Sequence, residues 1–197
     1  MFGFKKRKQN EQTIQDNTTP ESISLTDTLL ITHPLANVVE NSFRYSVIYL
    51  VEHNTDGAVG VNLSNASHNQ LKDMPLDSGS IMPNWLENRN LLKGGPVKSD
   101  DVWLLEPTVN QQGLHHFKNS NLALSYYQKH LQRILQINTP QPVQIGTGSC
   151  GWKAGQLEDE IQRGHWLILP AIDELIFQGS WSYLYMNAYE TYEAHVS

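Results

Sequence analysis

Apolar positions fall in short runs, separated by polar stretches and by breaks at glycine or proline. Thr28 to Thr32 is a short apolar strand. His33-Pro34 ends it, because the residue before a proline is pushed out of the helical region. Tyr45 to His53 reads YSVIYLVEH: Val47, Tyr49 and Val51 face one way, Ile48 and Leu50 the other. A strand apolar on both faces belongs in the middle of its sheet. Asn54-Thr55-Asp56-Gly57 is a turn with glycine where a positive φ is favoured, and Ala58 to Leu63 returns as the second strand of a hairpin. Gly60, in mid-strand, marks a bulge or a close backbone approach.

Ser64 to Asn90 is polar and interrupted by Pro75, Gly79 and Pro83. It predicts a weakly structured excursion with a short helix near Gln70 to Met74 or Trp85 to Asn88. Gly94-Gly95-Pro96, within Leu91 to Val97, forces an irregular path. Val102 to Leu105 is a strand stopped by Glu106-Pro107, and His115 to Phe117 with Leu122 to Ser125 predicts a hairpin. Tyr127, Leu131, Ile134 and Leu135 make one stripe of a helix from about Tyr126 to Gln136.

Pro142 to Trp166 reads as strand, glycine-rich turn and helix. Val143 and Ile145 alternate with polar residues, then Gly146, Gly148, Gly151 and Gly155 follow. Such glycines imply either positive φ or main chain too close for a Cβ. The helix runs from about Ala154 to Arg163, with Leu157 and Ile161 inside, an Asp159–Arg163 pair outside and Gly164 as its stop. A strand over Trp166 to Leu169 ends at Pro170, and a helical turn follows from Asp173 to Phe177. The last helix starts at Ser180 and carries Trp181, Leu184, Tyr185, Ala188 and Tyr192 on one face. Strands and helices mix without regular βαβ alternation, which predicts an α+β fold.

The 197 residues suit one domain over 25–197 behind a flexible polar extension, Met1 to Ser24. Mean hydropathy is -0.44, and no apolar run approaches the ~20 residues of a membrane span. No apolar segment follows the N-terminal basic residues as a secretory signal requires. One cysteine excludes an internal disulfide framework; with these features it predicts a cytoplasmic protein. The net charge of -6 argues against the basic face of a duplex-DNA binder. Direct nucleic-acid contact would need a local patch, drawn from Lys118, Lys129, Arg133 and the Lys5-Lys6-Arg7-Lys8 cluster.

One set of motifs is distinctive. Phe43-Arg44-Tyr45-Ser46-Val47 and His53 are followed by Gly57-Ala58-Val59-Gly60 with Asn62, then by Gly94-Gly95-Pro96-Val97. Gly151-Trp152 with Gly155-Gln156-Leu157, Glu160 and Trp166 complete it. In order and approximate spacing, from about Leu25 to Tyr192, the chain resembles the YqgE/AlgH family. The resemblance implies a mixed, bifurcated sheet curled into a pseudo-barrel with flanking helices. It implies no established catalytic residue or cofactor; one branch of the family carries the label of transcriptional regulator.

Candidate chemistry divides into alternatives. Cys150, read as lying just before a helix N-terminus, is either a lowered-pKa thiol served by His53 or His165, or a buried small residue. No HExxH or cysteine pair suggests zinc, and the adjacent His115 and His116 point to opposite faces of a strand. Ser46, Ser149 and Asp56 lack the context of a catalytic triad. Glu160 points inward, toward Arg44. Arg44, His53, Asn62 and Gln156 either satisfy buried backbone or line a pocket. Trp152 and Trp166 pack on the helix or anchor an interface. The motifs are glycine, tryptophan and amide, which shape surfaces. They predict a non-enzymatic regulatory or interaction protein with a protein partner, no cofactor, and a groove formed by Gly94-Gly95-Pro96 and the Gly148 to Gln156 loop, including Gly151, Trp152 and Gly155. The alternative is a small-ligand or anion-binding protein, or an enzyme, using the glycine-rich loop at the helix N-terminus.

Overall fold

The computed structural model of the chain describes residues 23–36, 43–73, 82–107, 122–125 and 128–197. The expected extension over 1–24, except its last two residues, lies outside them. So do the expected His115 to Phe117 strand and its turn.

Among the described residues there are nine strands: β1 (Thr28–Thr32), β2 (Val47–Asn54), β3 (Gly57–Asn62), β4 (Ala66–Gln70), β5 (Asn90–Lys93), β6 (Val97–Pro107), β7 (Leu122–Ser125), β8 (Gln144–Lys153) and β9 (Trp166–Pro170). The helices are α1 (Asn84–Glu87), α2 (Gln128–Leu135), α3 (Gln156–Gln162), α4 (Asp173–Phe177) and α5 (Trp181–Val196), with a 3-10 turn at Leu71–Asp73. The α+β class stands.

The sheet runs β4-β5-β8-β3-β2-β1-β9, and β6 with β7 branches from β8. Its first half pairs with β5 in parallel and with β6 antiparallel, while its second half pairs with β3. That change of partner is the bifurcation. The sheet stays open: among the described residues no pairing joins β9 to β4 or β7, so the curl is not a closed barrel.

The alternation in β2 places its two faces in two cores. Val47, Tyr49 and Val51 join Leu29, Ile31 and Leu184 under α4 and α5. Ile48 and Leu50 join Leu30, Trp152, Leu157 and Trp166 beneath α3. A third cluster packs Leu71, Leu86, Ile134, Leu135, Val143 and Ile145. The register of β2 on β3 shifts between Leu50 and Glu52, so the bulge expected beside Gly60 is present, with Val51 as its extra residue.

Three expectations are corrected. The stretch 146–153 is not a turn: β8 runs straight through the glycines, and the chain turns only at Ala154-Gly155. The 64–70 stretch contains a strand, β4, held on β5. Finally, β6 starts at Val97, five residues early, because Val97 pairs with Ser149 before residues 98–101 loop out and Val102 resumes on Thr147.

Candidate functional site

The glycine motifs meet each other. Gly94 N–H donates to Thr147 O at 2.8 Å, and Asn62 N–H donates to Gly94 O at 2.9 Å. A Cβ on Gly94 would stand 2.2 Å from Gly148 O, and one on Gly95 would stand 2.2 Å from Ser149 O. Gly148 adopts φ 70, with Gly95 O in the place of a Cβ. The Trp103 indole, fully buried, lies against Gly94 and Gly146 and donates Nε1–H to Gly148 O at 2.8 Å. These glycines therefore admit backbone and an indole. They form a packed crossing, where the sequence suggested an open groove. Pro96 is exposed beside it. Gly151 is exposed, with only Val97 Cγ2 at 3.7 Å, and Gly155 takes φ 75 at the start of α3 with open space around it.

Glu160 points inward, but Arg44 is not its partner. Its Oε2 accepts from Trp152 Nε1 at 2.9 Å and from Trp166 Nε1 at 2.7 Å; its Oε1 accepts from Gln156 Nε2 at 3.0 Å. Both indoles are buried and meet edge to face, 6.2 Å between centroids. Gln156 Oε1 also accepts from Lys153 N at 3.1 Å. The motif from Trp152 to Glu160, with Trp166, is thus a lock that fastens α3 to β8 and β9.

His53 is buried at the far end of β2. Its Nδ1 accepts from the Leu25 amide at 3.0 Å, so in this arrangement the ring proton sits on Nε2, which faces Glu158 Oε1 at 3.1 Å. Asn62 donates to Ser46 Oγ at 2.8 Å and accepts from Ser64 N at 3.0 Å. Arg44 is exposed, its guanidinium 5.1 Å above the Tyr45 ring. These residues do not converge on one pocket; His53, Asn62 and Gln156 satisfy local hydrogen bonds.

Cys150 lies in β8, not at a helix end. Burial pushes its thiol up to about 12, and Sγ donates to Gly94 O at 3.1 Å. This is an inert core thiol. Ser46 and Asp56 sit at opposite ends of β2. The α3 terminus proposed for an anion belongs to a seven-residue helix with Glu158 and Asp159 in its first turn, which repel one. Arg133, proposed for a basic patch, is neutralised by Glu106 through both carboxylate oxygens.

An open groove of about 760 Å³ lies elsewhere, between the Arg44–Ser46 and Ser64-Asn65 segments and the first turns of α5. Tyr45, Trp181 and Met186 line it, 53%, 40% and 53% exposed. Tyr45 adopts φ 59, a conformation that bulky residues rarely hold, and its ring meets Tyr185 edge on at 5.2 Å. The Tyr185 hydroxyl in turn donates to Thr32 O at 2.9 Å. Sequence reasoning missed this groove. The helical period sets Trp181 on one face of α5 with Leu184 and Ala188, which does not single it out, and nothing local signals the backbone of Tyr45.

The comparisons agree with this architecture. The model of the AlgH-like family matches residues 29–197. A UPF0301 protein of Beijerinckia indica is 33% identical over 189 residues, covering 88% of each chain. The UPF0301 protein AlgH of Pseudomonas aeruginosa is 31% identical over 148 residues, 73% of this chain and 76% of that one. The solution structure of the Pseudomonas aeruginosa AlgH protein aligns at TM-score 0.69 with 27% identity, covering 95% of this chain and 93% of the other. A Corynebacterium diphtheriae crystal structure, 19% identical at TM-score 0.61 over 82% and 84% of the two chains, shares the fold. The chain belongs to the AlgH-like family.

Proposed function

We propose that this chain is a non-enzymatic interaction protein with a regulatory role, and that it binds a protein partner through the groove beside α5. One observation carries this reading: Tyr45 is held at φ 59 with its ring in the groove instead of the core. Such a left-handed backbone costs about 1–2 kcal/mol and persists where surrounding structure imposes it, often at functional sites. Trp, Tyr and Arg are the residue types that dominate binding energy at interfaces, and Trp181, Tyr45 and Arg44 stand together here. The polar motif residues are occupied: Glu160 by two indoles, His53 by an amide and a carboxylate, Asn62 by two serines. An effect on transcription, if this chain shares the label given to one branch of its family, would pass through that partner. The net charge of -6 and the neutralised Arg133 favour this over direct DNA binding.

Affinity capture from the cells that make the protein tests the reading, with Tyr45→Gly plus Trp181→Ala as the paired variant. A partner retained by the wild type and lost from the folded double variant supports it. Equal recovery by both proteins contradicts it.

A further inference from the structure

Arg89, between α1 and β5, is a half-buried cation in an acidic protein. Among the described residues no carboxylate pairs with it: the ion pairs found are His53–Glu158, Arg133–Glu106 and Arg163–Asp159. Its Nη1 donates to Val143 O at 2.6 Å, and its guanidinium lies 5.8 Å from the centroid of the Trp85 ring. A guanidinium offers five N–H donors, so one carbonyl leaves most of them to other acceptors. Burial lowers the Arg89 pKa from its ordinary value, which reflects the cost of removing the charge from water.

Arg89 lines a pocket of about 230 Å³ together with Asn88, Asn90, Gln144, Ser180 and Trp181. Among the described residues no acidic one lines it, although Asp and Glu outnumber Lys and Arg by 20 to 14 in the chain. Asn88 and Asn90, which line the same pocket, carry amide groups that can donate to an anion. The pocket suits a group of a few heavy atoms and is smaller than the roughly 300–1,000 Å³ of sites for larger ligands. We propose that this pocket binds a small oxyanion, a phosphate or carboxylate group, with Arg89 as its counter-ion. The anion supplies the charge partner that the fold withholds, through charge-assisted hydrogen bonds that are stronger than neutral ones. The proposal is independent of partner binding at the groove, although Trp181 borders both.

Titration followed by ¹H–¹⁵N NMR tests it, reading the Arg89 Nε–H and the amides of Asn88, Asn90 and Ser180. Inorganic phosphate is used in one arm and succinate in the other, each against sodium chloride at equal ionic strength. Saturable shifts of these signals, absent with chloride, are expected in at least one arm. Saturation with phosphate alone identifies a phosphate ligand; with succinate alone, a carboxylate; with both, a general oxyanion site. Arg89→Gln is expected to abolish the shifts. Asn90→Asp, which sets a carboxylate beside Arg89 without removing its hydrogen bond, is expected to weaken binding about tenfold or more. Shifts no larger than those with chloride in both arms, or unchanged affinity in a folded Asn90→Asp variant, would overturn the proposal.

Discussion

Two indoles share one carboxylate where α3 meets β8 and β9. Removing Glu160 leaves the Trp152 and Trp166 N–H groups without their acceptor in an apolar cluster. Each unsatisfied buried donor costs about 1–3 kcal/mol, so Glu160→Ala is expected to lower the unfolding free energy by about 2–4 kcal/mol in urea denaturation read by tryptophan fluorescence. Glu160→Gln should cost less, since an amide oxygen still accepts. Cys150 gives a pH-dependent prediction. Burial raises its folded pKa to about 12 from its ordinary value of 9.0. Between those values the unfolded chain has released the thiol proton while the folded chain keeps it, so stability falls as pH rises, with a limiting slope of about 1.4 kcal/mol per pH unit. Below pH 9 this effect vanishes. The wild type should therefore lose stability relative to Cys150→Ala above pH 9, read as the difference between their unfolding curves. Tyr45→Gly relieves a left-handed backbone worth about 1–2 kcal/mol and loses an aromatic contact worth about 0.5–1.5 kcal/mol. Its stability should stay within about 1 kcal/mol of the wild type, which makes it a clean probe of binding.

At the scale of elements, the glycines of β8 differ in what they do. Gly148→Ala combines a left-handed backbone with a Cβ 2.3 Å from Gly95 O, and should cost at least about 2 kcal/mol. Gly151→Ala meets only a methyl group at 3.7 Å and should fall within about 0.5 kcal/mol of the wild type. Chemical denaturation of both variants checks the contrast. This is also where the sequence misled. Four glycines close together are a local cue for a turn, yet the need for Gly146 and Gly148 comes from Trp103 and Gly95, more than 40 residues earlier. Local cues worked where the cause was local. Pro170 closes β9, α4 keeps the bounds Asp173–Phe177, and Ser180 caps α5 by accepting from Ser182 N. The two-faced apolar run of β2 gave its central place. Of the candidate site, the inward turn of Glu160 was legible from helical period. Its indole partners were not, because α3 and β9 must pack before Trp152 and Trp166 can meet. The groove and the Arg89 pocket each need chain segments far apart in sequence, and no spacing rule announces them.

For the molecule as a whole, the motif residues act mainly as structure. Both faces of β2 are covered, and the polar motif residues His53, Asn62, Gln156 and Glu160 are tied into the frame. Among the described residues no helix is long and apolar enough to cross a membrane. What the frame presents outward is an aromatic and methionine face at the start of α5, including Met186, 53% exposed in the groove. The most direct measurement is photo-crosslinking in the cells that make the protein, from a photoreactive residue at Met186, with the exposed Lys153, which does not line the groove, as control. The account predicts one discrete protein adduct from position 186, weakened by Tyr45→Gly and absent from position 153. No adduct from 186, or the same adducts from both positions, would contradict it.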